Sequence, residues 1–273
     1  MTKTAQSVRD RKIIINADDF GSSSPVNYAI VQAFERRLIS SATIMVNMSG
    51  FEEACELARS HGLVGRIGLH LNLTAGRPLT SALAACTRFC DSDGCLRPRQ
   101  RVFYLYRQEI RALEAEIAAQ IDACKRKGIT PTHLDSHHHI HTEWGVSSVV
   151  IRAARRYGIP AVRMAINCGA CCKGVSRLHY YLAQAYWTLH NSRLRFYGLA
   201  RTRYFGSVLN TSRVVERTTA DIEIMVHPLL NDCGQLVDLD GHDLETRIRA
   251  LGFPAKVLDS YGELLKTINR EKC

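Results

Sequence analysis

Five of the eleven histidines in this chain fall within nine residues, His133-Leu134-Asp135-Ser136-His137-His138-His139-Ile140-His141, in an otherwise ordinary globular sequence. Imidazole is the commonest protein ligand for zinc-like metals, and a carboxylate two residues from a histidine can add a ligand or orient a ring. The run points to a metal site that other residues must complete. If the strand entering it continued, residues 133, 135, 137, 139 and 141 would share a face and His138 would point away. One or two of the rings would then bind metal, and the others would orient ligands or meet substrate.

Comparable side chains occur elsewhere. Asp18 and Asp19 are adjacent in Ala17-Asp18-Asp19-Phe20-Gly21. Alone they read equally well as an acidic helix start. Beside histidine-bearing strand ends they read as chemistry, because neighbouring carboxylates on a turn point in different directions. One can hold a cation while the other accepts a proton from water. A histidine such as His70 on an apolar strand is more often a satisfied core residue, but Asn72 and Thr74 make this a polar strand end. His227, before Pro228, is either structural or a general acid.

The elements that must position these residues alternate. Short β-branched or apolar runs at 12–16, 42–47, 66–73, 132–136, 161–165, 201–205, 222–226 and 255–258 read as strands. Helical stripes separate most of them, and the one through Ile110, Leu113, Ile117 and Ile121 ends in Lys125, Arg126, Lys127 and Gly128. The expectation is an α/β fold, a deviant (β/α) barrel of seven to eight mostly parallel strands with helices outside. In such a barrel active sites lie at the carboxyl ends of the strands. Asp18-Asp19, His70, His137 and His227 each follow a predicted strand on that side. Residues 1–273 form one catalytic domain, with insertions at about 75–106 and 166–218.

Composition narrows the function classes. The chain has 273 residues, a net charge of +10 and ten cysteines. Its cationic residues are scattered over helix faces and match no nucleic-acid motif, so nucleic acid is not the expected partner. No apolar run approaches the roughly 18 residues of a membrane span, and the first residues carry no apolar signal region. The expectation is a cytoplasmic protein with reduced cysteines. Cys86, Cys90 and Cys95, and Cys168, Cys171 and Cys172, form two loop clusters without paired CxxC spacing. Free thiols are favoured there over a structural zinc or a disulfide. A homodimer is left open.

Four segments, taken together, resemble a known family. Asn16-Ala17-Asp18-Asp19-Phe20-Gly21, Gly68-Leu69-His70-Leu71-Asn72-Leu73-Thr74, Thr132 through His141, and Glu223-Ile224-Met225-Val226-His227-Pro228 are similar, in order and spacing, to the successive motifs of the YdjC-like carbohydrate deacetylases. The resemblance implies a hydrolase that removes an N-acetyl group from an amino sugar, or from an oligosaccharide or conjugate containing one. It uses one divalent cation, magnesium or zinc. By motif, Asp19, His70 and His137 would be the metal ligands, Asp18 the general base towards metal-bound water, and His227 the acid. His139, His141 and Arg163 would contact substrate. Departures from the family pattern fall in the Cys-containing stretches and in the segment from Tyr180 to Tyr204, which would shape the substrate pocket.

Two other readings stand beside this one. Asp and His clusters at barrel strand ends also serve metal-dependent phosphoesterases and amidohydrolases, which usually hold two cations. A catalytically inactive glycan-binding relative is the third, and retention of both Asp18 and Asp19 argues against it.

Overall fold

The computed structural model describes residues 12–98, 101–168, 177–252 and 259–270. Its main sheet has six strands: β1 (Ile13–Phe20), β2 (Ser41–Ile44), β3 (Ile67–Leu71), β4 (Leu134–Ser136), β5 (Tyr204–Ser207) and β6 (Ile222–Val226). They lie in the order β4-β3-β2-β1-β6-β5, and each pairing is parallel. A parallel strand is covered on both faces, so its apolar residues run consecutively instead of alternating. Ile13, Ile14 and Ile15 follow this rule and are all buried.

The expected strand at 161–165 takes a reduced form. Ala161 and Val162 form isolated parallel bridges to Ala200 and Leu134, and Asn167 N–H donates to Phe205 O at 3.1 Å. This segment links β4 at one edge of the sheet to the approach and body of β5 at the other. The result is a curled, all-parallel sheet consistent with a deviant α/β barrel, and six of the expected strands are regular among the described residues. The expected strand at 255–258 lies outside the described residues, as do Cys171 and Cys172.

Around the sheet run α1 (Ser24–Glu35), α2 (Phe51–Ser60), a single turn α3 (Ser81–Ala84), α4 (Arg107–Arg126), α5 (Trp144–Tyr157), α6 (Arg177–Phe196) and α7 (Val208–Arg217). A small antiparallel pair, β7 (Leu229–Leu230) and β8 (Leu236–Val237), follows β6, and α8 (Leu244–Ala250) and α9 (Tyr261–Arg270) come last. Helix α4 buries Leu113, Ile117, Ile121 and Cys124 on one stripe, and Gly128 follows it at φ 76°. A left-handed residue just past a helix is the common way to end it, and glycine adopts it without a Cβ penalty. No described helix is long and apolar enough to cross a membrane.

Both expected insertions have structure. The segment at 75–106 is tied down by Glu116 of α4, whose carboxylate accepts from Leu79 N–H, Thr80 N–H and the Thr80 hydroxyl. The second, at 166–218, is only partly an insertion, because it contains β5, an edge strand of the main sheet. Among the described residues the cysteines, including Cys86, Cys90, Cys95 and Cys168, are free thiols.

Candidate metal centre

The carboxyl ends of the parallel strands collect the chemistry. Strand β1 carries a bulge: Ala17 pairs with Ala42 and Phe20 with Ile44, so one strand has an extra residue between matched positions. A bulge bends its strand and re-aims side chains. Here it holds Asp19 at φ 69°, a left-handed conformation uncommon for a residue with a Cβ. Asp18 is consequently buried while Asp19 keeps 22% of its side chain exposed, so the two carboxylates face different surroundings.

Asp19, His70 and His137 converge. Asp19 Oδ1 lies 3.1 Å from His70 Nε2 and 2.9 Å from His137 Nδ1. The three ligand atoms lie within 4.8 Å of one another, and His137 remains 20% exposed, which leaves the cluster open on one side. One carboxylate and two imidazoles with an open face are the donor set of a catalytic divalent site. Behind it, His70 Nδ1 donates to Asp135 Oδ1 at 2.8 Å, and Asp135 Oδ2 accepts from the Thr43 hydroxyl at 3.0 Å. That carboxylate fixes the ring and points Nε2 outward, as the outer partners of metal-binding histidines do. Burial disfavours a charged His70, yet Asp135 and Asp19 outweigh it and raise the imidazole to about 10. A cation bound by His70 would take the place of that proton. Asp19 is held well below the usual carboxylate range: burial opposes this, and the hydrogen bonds from His137 and His70 prevail.

A second group, Asp18, His70 and Asp135, is as compact. It is a poor cation site, because Arg163 already occupies it. Arg163 is completely buried; its Nη1 donates to Asp18 Oδ2 and to Asp135 Oδ2, both at 2.6 Å, and its Nη2 to Asp18 Oδ1 at 2.7 Å. Nε donates to Glu223 Oε1 at 2.7 Å, and Tyr261 donates its hydroxyl to Glu223 Oε2 at 2.5 Å. Burial raises Glu223, an effect that Arg163 partly offsets. For Asp18 burial is overridden by Arg163, which holds it far below the ordinary range. Three carboxylates are thus gathered on a single guanidinium, with Asp19 close by in the open cluster. A divalent ion at the open cluster offsets that excess of negative charge, so the residues present fit one such cation.

The histidine run does not extend the strand. After Ser136 the chain enters a 3₁₀ segment, His137–Thr142, broken by left-handed φ values of 53° at His138 and 55° at His139. Shared-face alternation therefore fails, and each ring has its own fate. His133 is buried, stacked on Tyr261 with ring centroids 3.8 Å apart. His138 is exposed and pairs through Nδ1 with the Thr74 hydroxyl at 3.1 Å. His139 is half-buried, its ring edge-on to Phe205.

Two expected substrate contacts are displaced. His141 is buried, with Nδ1 against the Ser136 hydroxyl at 2.5 Å and Nε2 against Arg163 O at 3.1 Å, so neither nitrogen is left for a sugar. Arg163 has no exposed surface and its donors are spent on three carboxylates. Both lie behind the cluster, bonded to residues that carry it. His227 is partly exposed beside the cluster; its backbone N–H is held by Asp238 Oδ1 at 2.8 Å, and its positive form lowers Asp18 electrostatically.

Residue-level reading did not pair Asp135 with His70; it quoted Asn16 and Glu223 only as members of motifs, without a role, and did not single out Thr43 or Tyr261. Glu223 had a signal: a charged residue inside the apolar strand Ile222–Val226 is rarely buried unless paired. Thr43 had none.

Comparison with known proteins gives the arrangement its family. The family model described as YdjC-like protein matches residues 12–249, nearly the whole described chain. The chain belongs to the YdjC-like family. Curated relatives named carbohydrate deacetylase include those of Brevibacillus brevis, 40% identical over 149 residues, and Geobacillus stearothermophilus, 41% identical over 150 residues. Each alignment covers 55% of this chain and 58% of the relative, so the match spans a little over half the length of either. Among solved structures, a protein from Enterococcus faecalis described as a cellobiose-phosphate cleavage protein superposes with a TM-score of 0.65 at 22% identity. That alignment covers 93% of this chain and 98% of the other, and it shows a shared fold.

Proposed function

We propose that this YdjC-like chain is a metal-dependent hydrolase that removes an N-acetyl group from an amino sugar, or from an oligosaccharide or conjugate containing one. The observation that carries the reading is the open Asp19, His70 and His137 cluster with the buried, ionised Asp18 beside it. The relatives named carbohydrate deacetylase favour this substrate class.

When bound, magnesium or zinc supplies Lewis-acid polarisation of the amide carbonyl and acidifies a coordinated water. Asp19, His70 and His137 would hold the ion. Asp18 accepts the proton of the attacking water, and Arg163 keeps it ionised and fixed in direction. His227, on the strand end beyond β1, donates a proton to the departing amine. His139 faces the sugar. Because Arg163 fills the neighbouring carboxylate group, the described residues leave room for one cation; this favours the deacetylase over a two-metal phosphoesterase.

The test is acetate release from N-acetylglucosamine oligomers with added magnesium, zinc, cobalt or manganese. Asp18→Asn should lower kcat by about 10²- to 10⁴-fold, the range for a lost general base, while metal remains bound. His70→Ala or His137→Ala should lose the metal. An active Asp18→Asn enzyme sinks the base assignment, and two ions per chain would return the phosphoesterase to first place.

A further inference from the structure

The other end of the barrel holds an open cavity of about 920 Å³ whose wall includes Arg155, Arg195, Arg201 and Arg203. Pro160, which precedes the bridging segment at 161–163, is in the same wall, and Arg201 and Arg203 precede β5. The cavity therefore lies at the amino ends of the parallel strands, away from Asp19, His70, His137 and His227 at the carboxyl ends. No aspartate or glutamate is among its described lining residues.

Two of the four arginines have a local explanation. Arg155 and Arg195 sit in the last turns of α5 and α6, where a cation offsets the helix dipole. Arg201 and Arg203 lie at no helix end, and Arg203 is exposed. Arg201 is half-buried, donating to Asn191 O at 3.1 Å and Thr202 O at 3.3 Å. Burial and repulsion from Arg195 and Arg203 both work against its charge. Four guanidiniums share this wall with no carboxylate among its described lining; Arg155, Arg195 and Arg203 are exposed and Arg201 half-buried, so an anion that joins them relieves a repulsion felt most at Arg201. Planar guanidinium forks suit phosphate, which they bind bidentately. The remaining wall, with Ile159 and the ring of Tyr197, is apolar, and the volume falls in the range of about 300 to 1,000 Å³ usual for organic ligands.

We infer that this cavity is a second ligand site, for a small organic molecule carrying phosphate, held by Arg155, Arg195, Arg201 and Arg203. A phosphorylated sugar and a nucleotide share this chemistry. Titration calorimetry of the full chain with glucose 6-phosphate, ADP and pyrophosphate, in EDTA so that the metal centre does not contribute, tests it. At least one organic phosphate should bind with Kd below about 1 mM, and which one binds identifies the source. Arg201→Gln combined with Arg203→Gln should weaken binding about tenfold or more, the loss expected for removing charge-assisted hydrogen bonds. If that variant does not fold, Arg155→Gln with Arg195→Gln, both at exposed helix ends, should show the same weakening. The inference is overturned if neither organic phosphate binds in that range, or if the folded variants bind as the unaltered chain does.

Discussion

Asp18 and Asp19 show how far environment separates two identical side chains. Asp19, lifted into the left-handed region by the bulge, faces two imidazoles and the open side of the site. Asp18, one residue earlier, is sealed against Arg163 and Asn16. Arg163 joins Asp18, Asp135 and Glu223, so it sets both the proposed base and, through Asp135, the orientation of His70. A lysine has one point charge and cannot reach three carboxylates in a fixed plane. Arg163→Lys should therefore lower unfolding free energy by about 3 kcal/mol or more, the cost of breaking a buried charge network. Urea denaturation would check this. A variant as stable as the parent would show that the guanidinium geometry is dispensable.

At the scale of elements, the site depends on close approach between β3 and β4. A Cβ on Gly68 would lie 2.5 Å from His133 Cε1 and Nδ1 and 2.8 Å from the His133 carbonyl oxygen. The ring has little freedom to move, because it is buried and stacked on Tyr261. Gly68→Ala should cost about 1 to 3 kcal/mol through overpacking and push apart the strands that bring His70 to Asp135. Thermal unfolding together with metal affinity would read both effects. The turn after β4 makes a contrasting prediction. His138 is exposed and strained at φ 53°, and its ring reaches the site only by packing on His137 with centroids 3.9 Å apart, so His138→Gly should change metal affinity by less than about tenfold and shift stability by no more than about 1 kcal/mol. A large loss of metal would mean that this ring, and not only His137, belongs to the site.

For the molecule as a whole, the buried neutral histidines govern acid tolerance. Burial, with Arg193 nearby, lowers His190 to about 4, and His133 and His141 are also held well below their ordinary value. Unfolded histidines titrate near 6.5, so between that pH and 4 the unfolded chain binds protons that the folded chain refuses. The contribution of these three histidines is therefore fully present above about pH 6.5 and falls as the pH drops, and His190 alone accounts for about 3 kcal/mol by pH 4; His70, raised to about 10, has the opposite sign, its contribution being full below about pH 6.5 and lost as the pH rises through 10. Chemical denaturation across this window should show a steep decline, and a flat profile would contradict the buried, neutral assignment. A divalent cation at the proposed site would act in the opposite sense, adding about 2.7 kcal/mol at a hundredfold excess over Kd if only the folded chain binds it. Chelation should lower the Tm accordingly.

The sequence by itself determined the class of fold and the identity of the residues that meet at the strand ends. Consecutive β-branched runs such as Ile13-Ile14-Ile15 allow only buried, parallel strands, and helical stripes with glycine stops fix the crossovers between them. Side-chain type marked Asp18, Asp19, His70, His137 and His227, because carboxylates and imidazoles at successive strand ends have few other uses. Direction was decided only by the tertiary structure. An extra residue in β1 and two left-handed residues after β4 turn side chains in ways that strand alternation cannot anticipate. They separate Asp18 from Asp19, sort the histidine run into one proposed ligand, core rings and more exposed rings, and bury His141 and Arg163 behind the site. Partnership was likewise invisible: Asp135 meets His70 and Glu223 meets Arg163 across 65 and 60 residues of chain, brought together by sheet register and not by any local pattern.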